Sequence, residues 1–307
     1  MARQIDRRDF LRTAAPAVIA GRELACAGRS GIPATNLEPG TEAAPRLLTG
    51  CCAYSYGRLL KAGQMTMEDV IRKAVELGIE GVDMTAYWFK STDARYLASL
   101  RHLAFKNGVG FSGAATGAST VEADPDKRAH VLEEVKKWVD VTESLGAPHL
   151  RVFAGKLPAG ATVQQGIEWT VDTLKAACEY AGKKGITLGI EDHEGITQNS
   201  DTCLEIVRRV DSPFLGINLD ITNFIPTAQA DSYAQIRATV PYATHTHIRD
   251  RFANGEAVDL DRVWRLFADS GYKGFMSAEY EGEENPSTAV PKLVDKIKAL
   301  CRIYSSV

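Results

Sequence analysis

Four side chains able to bind a metal ion are spread over the second half of the sequence: Glu191, Asp220, His247 and Glu279. Each lies at the end of a short apolar segment with the composition of a β-strand. They are roughly one strand-and-helix unit apart, so they meet only if the strands close into a barrel that gathers their carboxyl ends at one face. The spacing predicts a metal-dependent enzyme acting on a small polyhydroxy substrate, and no short motif supplies this signal.

A single Glu or His at the end of a strand is more often solvated or structural than a ligand. Four acceptable ligands at corresponding ends of four successive strands favour a shared cation instead. Ionisable groups pointing into a barrel cost about several kcal/mol unless they are paired or metal-bound. Three carboxylates and one imidazole suit Mn²⁺ first, with Mg²⁺, Co²⁺ or Zn²⁺ as alternatives.

Alternation within the late strands predicts which side chains point into the barrel. From Leu215 to Asp220 the aliphatic residues share one parity and the polar residues the other. The same alternation places Glu191 inside and Asp192 outside. Of the two histidines of strand seven, His245 is predicted to lie deeper than His247, which is at the mouth.

From Arg46 onward, short β-branched segments alternate with longer amphipathic ones, which predicts parallel strands joined by helices. Eight such units match the size of a (β/α)₈ TIM barrel. A doubly wound open sheet is the alternative, but no G-x-G-x-x-G follows the first strand. The predicted strands are Leu47–Tyr54, Gly81–Thr85, Gly110–Ala114, His149–Ala154, Thr187–Asp192, Leu215–Asp220, Ala243–Ile248 and Phe275–Tyr280. Several of the helices between them are predicted to end at glycine: Gly78, Gly108, Gly146, Gly185 and Gly271.

Length and charge exclude several classes of protein. The chain has 307 residues, 45% hydrophobic content and a net charge of −3, which suits one large domain, the barrel at 46–307. Neither the charge balance nor any Lys/Arg run supplies the basic face that a nucleic-acid binder needs. The sequence contains no run of about 18 apolar residues, so no membrane span is predicted.

The N-terminus predicts a separate export signal. Arg7-Arg8 followed by Phe10-Leu11, a short apolar run and an A-x-A site predict a twin-arginine signal peptide at 1–27, and a linker at 28–45 follows. The protein is therefore expected to use the twin-arginine export machinery and to be periplasmic or otherwise exported. A disordered basic N-terminus on a cytosolic enzyme is the alternative, and lipid attachment at Cys26 is the weaker interpretation because Glu23 stands where an aliphatic residue is wanted.

The six cysteines form no C-x-x-C pair, so neither zinc nor redox chemistry is indicated. We expect buried free thiols.

The stretches around the four ligands resemble a known family. Ile190–His193, Asn218–Asp220, His245–Asp250 and Ser277–Glu281 are similar to the metal-site strands of the xylose-isomerase-like TIM barrels, the sugar phosphate isomerase/epimerase family. The resemblance spans nearly the whole chain after residue 46. It implies that His247 ligates the metal, and that Glu191 and Glu279 are both ligands and the acid/base pair.

One position departs from the ketose 3-epimerases of that family. They carry a substrate-binding His three residues after the strand-six Asp, where this chain has Asn223. They also place a substrate-binding Arg a few residues after the metal His, a place that Arg249 or Arg251 fills only by approximate analogy. Ketose 3-epimerisation itself is therefore left open.

The chemistry implied is proton transfer next to a carbonyl. The cation would chelate neighbouring sugar oxygens and stabilise the enediolate. Glu191 and Glu279 would stand on opposite faces of the carbon and give inversion, or loss of a β-substituent would give a lyase or dehydratase. Further candidates for binding the sugar are His193, Arg151, Asn223 and Arg249 for its hydroxyls and Tyr54 and Trp88 for an apolar wall.

An exported enzyme without a Gly-rich phosphate cradle after strand seven or eight is expected to act on an unphosphorylated carbohydrate, and a 3-keto-glycoside is one option. An apurinic endonuclease needs more histidines, and His102 and His130 fall in predicted helices. A non-catalytic metal- or sugar-binding barrel stays open, as does a homo-oligomer. Asp83 is a further inward residue to which the sequence gives no role.

Overall fold

The computed structural model describes residues 45–305. Within them, eight parallel strands pair in sequence order, and the last pairs with the first to close a barrel. The predicted (β/α)₈ TIM barrel is confirmed. The predicted export signal, and nearly all of the predicted linker, lie outside the described residues.

Strands and helices alternate along the described chain. The strands are β1 (Arg46–Cys52), β2 (Gly81–Thr85), β3 (Gly110–Ser119), β4 (His149–Gly155), β5 (Thr187–Gly195), β6 (Leu215–Asp220), β7 (Ala243–Ile248) and β8 (Lys273–Ala278). The helices are α1 (Gly57–Lys61), α2 (Met67–Leu77), α3 (Ala94–Lys106), α4 (Pro125–Leu145), α5 (Val163–Gly182), α6 (Ser200–Val210), α7 (Ser232–Thr239), α8 (Leu260–Asp269) and α9 (Pro286–Tyr304). Short 3₁₀ turns cover Ala53–Tyr56, Ala86–Trp88 and Val240–Tyr242.

Capping residues set the helix boundaries. Thr66 caps α2 with its hydroxyl while the Asp69 carboxylate binds back to the Thr66 backbone, so two otherwise unsatisfied N–H groups are paired. Gly78 ends the same helix in the left-handed conformation, with φ of 59°. All five glycines predicted to end helices have positive φ: Gly78, Gly108, Gly146, Gly185 and Gly271.

The apolar core fills the layer between the strands and the helices. Ile217 and Leu219 of β6 are fully buried in it. On the other parity of β6, Asn218 and Asp220 are also buried, and Asn218 Nδ2 lies 3.4 Å from His247 Nδ1 of β7. The predicted alternation is therefore confirmed, and the polar parity points into the barrel.

Rings of large side chains fill the barrel below its mouth. His149 and His245 stack with ring centroids 5.1 Å apart, and Phe275 lies 6.4 Å from His245. These rings fit because glycines face them: a Cβ at Gly189 would lie 2.3 Å from His149 Nε2, and one at Gly81 would lie 2.3 Å from Phe275 Cε1. His245 is thus one level deeper than the residues at the mouth, as predicted.

Several predicted strand ends were wrong by two to five residues. β3 continues to Ser119 and β5 to Gly195, beyond the predicted Ala114 and Asp192, whereas two other strands stop early. β1 stops at Cys52, so Tyr54 lies in the 3₁₀ turn that follows rather than in the strand. β8 stops at Ala278, and Glu279 is the first residue beyond it. Trp88 likewise lies in a 3₁₀ turn three residues past β2. Where β1 and β8 stop early, the chain begins to turn over the barrel mouth while its sequence still alternates, and alternation alone does not mark that point.

Among the helices described, none is both long and apolar enough to cross a membrane.

Candidate metal centre

The four predicted ligands meet at one point. Glu191 comes from β5, Asp220 ends β6, His247 lies in β7 and Glu279 follows β8. One ligand atom from each lies within 4.8 Å of the others, and all four residues are buried. Adjacent parallel strands ending at one face bring them together, as the spacing predicted.

His247 stands at the middle of the group. Its Nδ1 lies 3.5 Å from Glu191 Oε1 and 3.4 Å from Glu279 Oε1. Its Nε2 lies 3.0 Å from Asp83 Oδ2, on β2 across the barrel. Nδ1 is therefore the nitrogen that faces the other ligands.

Glu191 is paired with a buried arginine. Arg151 Nε of β4 lies 2.8 Å from Glu191 Oε2, but the two atoms are not aligned as a hydrogen bond, and neither has a hydrogen-bond partner among the described residues. The Arg151 guanidinium instead donates to the Thr116 carbonyl at 3.0 Å and to the Tyr87 hydroxyl at 3.3 Å. Phe153 covers it, with 4.0 Å between the guanidinium carbon and the ring centroid.

Glu279 is held more tightly, by Arg249. Both Nε and Nη2 of Arg249 donate to Glu279 Oε2, at 3.1 Å and 2.7 Å. Nη2 also lies 2.9 Å from Asp220 Oδ2, and Nη1 donates to Glu281 Oε2 at 2.6 Å. One guanidinium thus contacts three carboxylates, two of which belong to the centre.

Asp220 is fixed from both of its sides. Its Oδ1 accepts hydrogen bonds from the Thr222 backbone at 2.8 Å and hydroxyl at 2.7 Å. Its backbone N–H donates to Asp192 Oδ1 at 2.7 Å. Asp192 is absent from the ligand group, and its side chain neighbours Cys203 of helix α6. The side chain therefore points away from the barrel interior, as its parity predicted.

The charges of the centre are incompletely balanced. Burial would raise the pKa of Glu191 and of Glu279, but His247 and the arginine beside each carboxylate hold both below their ordinary values. Burial raises the pKa of Asp220 even though Arg249 opposes it. Burial disfavours a charge on His247 too, yet the carboxylates of Glu279 and Glu191 raise its pKa well above the ordinary value. The site thus favours added positive charge.

The residues fit a divalent cation. The donor set is three carboxylates and one imidazole, all buried. Within the described chain, Glu191 Oε2 and Asp220 Oδ2 have no hydrogen-bond partner, so each retains unused acceptor capacity. Hard oxygen donors with one imidazole suit Mn²⁺, Mg²⁺, Co²⁺ or Zn²⁺.

Two cavities open beside the centre. One, of about 390 Å³, is walled by Tyr54, Trp88 and Tyr280, and the rings of Tyr54 and Trp88 lie 5.7 Å apart. The other, of about 750 Å³, is lined by Arg249 and Glu279. The predicted aromatic wall and the predicted Arg249 contact therefore both lie at the mouth.

The remaining predicted substrate contacts are less closely connected to the centre. His193 packs against Phe153 with centroids 4.7 Å apart, and its Nδ1 has no partner among residues 45–305. Asn223 Nδ2 is equally unpartnered in this range. Neither side chain hydrogen-bonds to any of the four ligands, so their roles stay predictions.

Three contributors to the site were given no role from the sequence. Asp83 was recognised as inward-facing but without a role, and Tyr87 was not considered. Glu281 shares the parity of Glu279, and this was the signal that would have placed it beside Arg249.

Similarity to known proteins agrees with this architecture. A putative hydroxypyruvate isomerase of Mus musculus is 26% identical over 180 residues, which is 53% of this chain and 65% of that protein, so just under two thirds of the relative's length is matched. An inosose dehydratase of Erwinia tasmaniensis is 24% identical over 213 residues, covering 56% of this chain and 70% of that protein.

A solved D-psicose 3-epimerase of Clostridium cellulolyticum, with D-tagatose, covers 84% of this chain and 98% of its own with a TM-score of 0.65. At 16% identity this likeness concerns the fold alone. Residues 71–300 match the model of the xylose isomerase-like TIM barrel family, and the chain belongs to that family of sugar isomerases, epimerases and dehydratases.

Proposed function

We propose that this chain is a divalent-metal-dependent sugar isomerase or epimerase acting on an unphosphorylated carbohydrate. The observation that carries the proposal is the pair Glu191 and Glu279, each with one carboxylate oxygen beside His247 Nδ1, at 3.5 Å and 3.4 Å. Two carboxylates converging on one point are suited to remove a proton from a substrate carbon and to return one.

Glu191, Asp220, His247 and Glu279 would hold the cation, with Mn²⁺ the first expectation. When bound, it would polarise neighbouring carbonyl and hydroxyl oxygens of the sugar and so acidify the adjacent C–H.

The glutamates would transfer the protons. Arg151 and His247 lower the pKa of Glu191, and His247 and Arg249 lower that of Glu279, so a carboxylate is available as the base at neutral pH. One takes the proton from the carbon next to the carbonyl, and the C–H electron pair passes into an enediolate. The other, protonated from solvent, gives its proton to the opposite face, and the configuration is inverted.

The surrounding side chains would hold the sugar. Arg249 lines the larger cavity together with Glu279, where a hydroxyl next to the reacting carbon would lie. Arg151, His193 and Asn223 are the other proposed hydroxyl contacts. Tyr54 and Trp88 would cover an apolar face of the ring.

A dehydratase or lyase is the second candidate, supported by the 24% identity to the inosose dehydratase of Erwinia tasmaniensis. The same first step applies: one glutamate removes the proton, and the enediolate then expels a β-substituent, which leaves with the electron pair. A 3-keto-glycoside would lose its aglycone in this way.

The test is solvent-deuterium incorporation into a panel of ketoses and 3-keto-glycosides with added Mn²⁺, followed by mass spectrometry. We expect exchange at a carbon next to the carbonyl, and Glu279→Gln should keep sugar binding but lose exchange. Glu194→Gln is the matched control, because Glu194 lies on the same strand as Glu191 but is exposed and paired with Lys156 at 2.6 Å.

Release of water or of an aglycone would identify the dehydratase or lyase. Sugar binding without exchange across the whole panel would favour a non-catalytic barrel and contradict the proposal. Full turnover by Glu279→Gln would remove Glu279 from the mechanism.

We also propose export through the twin-arginine pathway, on the basis of the Arg7-Arg8 motif. Cell fractionation of the full chain and of a variant with both arginines changed to lysine tests this. Cytoplasmic retention of the unchanged protein would contradict it.

A further inference from the structure

Asp83 lies on the opposite side of His247 from the metal centre. It is the middle residue of β2, is 1% exposed, and its Oδ2 lies 3.0 Å from His247 Nε2. We propose that Asp83 is the positioning residue of the site: it accepts the hydrogen bond from His247 Nε2–H and so keeps Nδ1 unprotonated, with its lone pair available to a cation. The inference rests on the proposed metal centre and deepens it.

The two nitrogens of the His247 ring differ in what they can bind. A neutral imidazole carries its proton on one nitrogen and a lone pair on the other, and only the lone pair can bind a metal. Nδ1 is the nitrogen that faces Glu191 and Glu279. An ionised carboxylate is an acceptor only, so Asp83 beside Nε2 stabilises the tautomer in which Nε2 holds the proton.

Asp83 is itself held by close packing. A Cβ at position 113 of β3 would lie 3.4 Å from Asp83 Oδ1 and 3.3 Å from His149 Nδ1, so glycine at this position lets β3 approach the carboxylate. His245 packs edge-on to His247, with centroids 5.9 Å apart and an interplanar angle of 85°. The carboxylate and the imidazole plane are therefore both constrained, as outer partners of metal-binding histidines commonly are.

A second cation is the competing explanation for the same atoms. Cys52, Asp83 and His247 also offer ligand atoms within 4.8 Å of one another. The 3.0 Å contact between Nε2 and Oδ2 has the length of a direct hydrogen bond, and Cys52 Sγ contacts the Thr85 hydroxyl at 3.8 Å. These contacts favour the hydrogen-bonded arrangement. The number of Mn²⁺ ions bound per chain distinguishes it from a second cation site.

The first experiment measures Mn²⁺ binding to the full chain by calorimetry. We expect one site, with Asp83→Asn weakening the affinity by roughly 10- to 100-fold. Ser277→Ala is the matched control, because Ser277 is also buried on an inward position of its strand, and its hydroxyl has no hydrogen-bond partner in the described chain. The control should bind like the unchanged protein.

Unchanged affinity in Asp83→Asn would overturn the positioning role while leaving the metal centre intact. Two Mn²⁺ ions per chain, one of them lost in Cys52→Ser, would replace the role with a second cation site. Failure of the unchanged protein to bind any divalent ion would remove the centre itself and, with it, this inference.

The second experiment needs no variant at position 83. In the Zn²⁺-loaded protein with ¹⁵N-labelled histidine, His247 resonances are assigned by their loss in His247→Gln. We expect Nε2 to carry the proton and Nδ1 to be coordinated. Coordination through Nε2 would overturn the inference even if Asp83→Asn does not fold.

Discussion

Arg249 donates two hydrogen bonds to a single oxygen of Glu279, from Nε at 3.1 Å and from Nη2 at 2.7 Å. Glu191 has an arginine at the corresponding place, but Arg151 Nε lies 2.8 Å from Glu191 Oε2 without the alignment of a hydrogen bond. Each glutamate thus has an arginine at Oε2 and His247 beside Oε1. The two proposed acid/base groups are placed alike but held unequally.

Arg249→Met is expected to destabilise the metal-free protein by about 3–5 kcal/mol, because it leaves the buried carboxylates of Glu279 and Asp220 without their cation. Added Mn²⁺ should recover part of this loss by supplying positive charge at the same place. Urea unfolding with and without Mn²⁺ measures both effects. Arg265→Met is the control, because Arg265 forms an exposed pair with Asp261 that solvent screens and that should contribute little to stability. Equal losses in the two variants would contradict the prediction.

Mn²⁺ should stabilise the protein more at higher pH. Burial opposes a charge on His247, but Glu279 and other neighbouring groups, among them Glu191 and Asp83, raise its pKa in the metal-free protein, so the protonated ring must lose a proton before it can bind metal. A raised folded-state pKa stabilises the metal-free protein below the unfolded value of about 6.5, and this contribution is lost as pH rises through the folded pKa. The metal-induced rise in Tm should therefore grow from about pH 6 to about pH 9. A rise in Tm that does not change with pH would speak against this account.

The described cysteines should be unreactive in the folded protein. Cys51, Cys52, Cys178, Cys203 and Cys301 are all free and buried, as expected from the sequence. Burial raises the pKa of Cys51 and of Cys52 to about 12, so almost no thiolate forms near neutral pH. Alkylation by iodoacetamide at about pH 8, followed by peptide mass spectrometry, should modify these five only after unfolding in urea. Rapid labelling of Cys51 or Cys52 in the native protein would show that β1 opens.

Trp88→Ala should weaken substrate binding more than turnover. If Trp88 and Tyr54 cover the sugar ring, the loss of one wall should raise KM by roughly tenfold, about 1.4 kcal/mol, with kcat little changed. Phe105→Ala is the control, because Phe105 is a large side chain that is 81% exposed on α3, away from both cavities. An equal KM for both variants would show that Trp88 serves ordinary packing and does not contact the sugar.

The position of the candidate metal ligands could be predicted from the sequence because two rules suffice. Alternation decides which residues of β6 point inward, and parallel strands end at one face, so Asp220 and Glu191 had to meet. Neither rule needs side-chain conformations. The same reasoning excluded Asp192 correctly.

Contacts across the barrel could not be predicted in this way. Asp83 and His247 are 164 positions apart, and their hydrogen bond depends on the barrel diameter and on the rotamers of both side chains. The pairing of Arg249 with Asp220 and Glu279 likewise follows from the direction of a long side chain, where the sequence supported only a substrate contact. Tyr54 was placed in β1 because alternation continues past Cys52, the point where the backbone turns.

The segment from Tyr280 to Gly282 is a partition shared by both cavities at the mouth. The residues that follow this segment are held in place, since Arg58 donates to the carbonyls of Glu283 and Glu284. A Cβ at Gly282 would come within 2.4 Å of the Tyr280 hydroxyl, so even the smallest side chain there would push the aromatic ring aside. A substitution that reshaped one cavity for a bulkier ligand would therefore also reshape the other. The ligand preferences of the two cavities could not change independently.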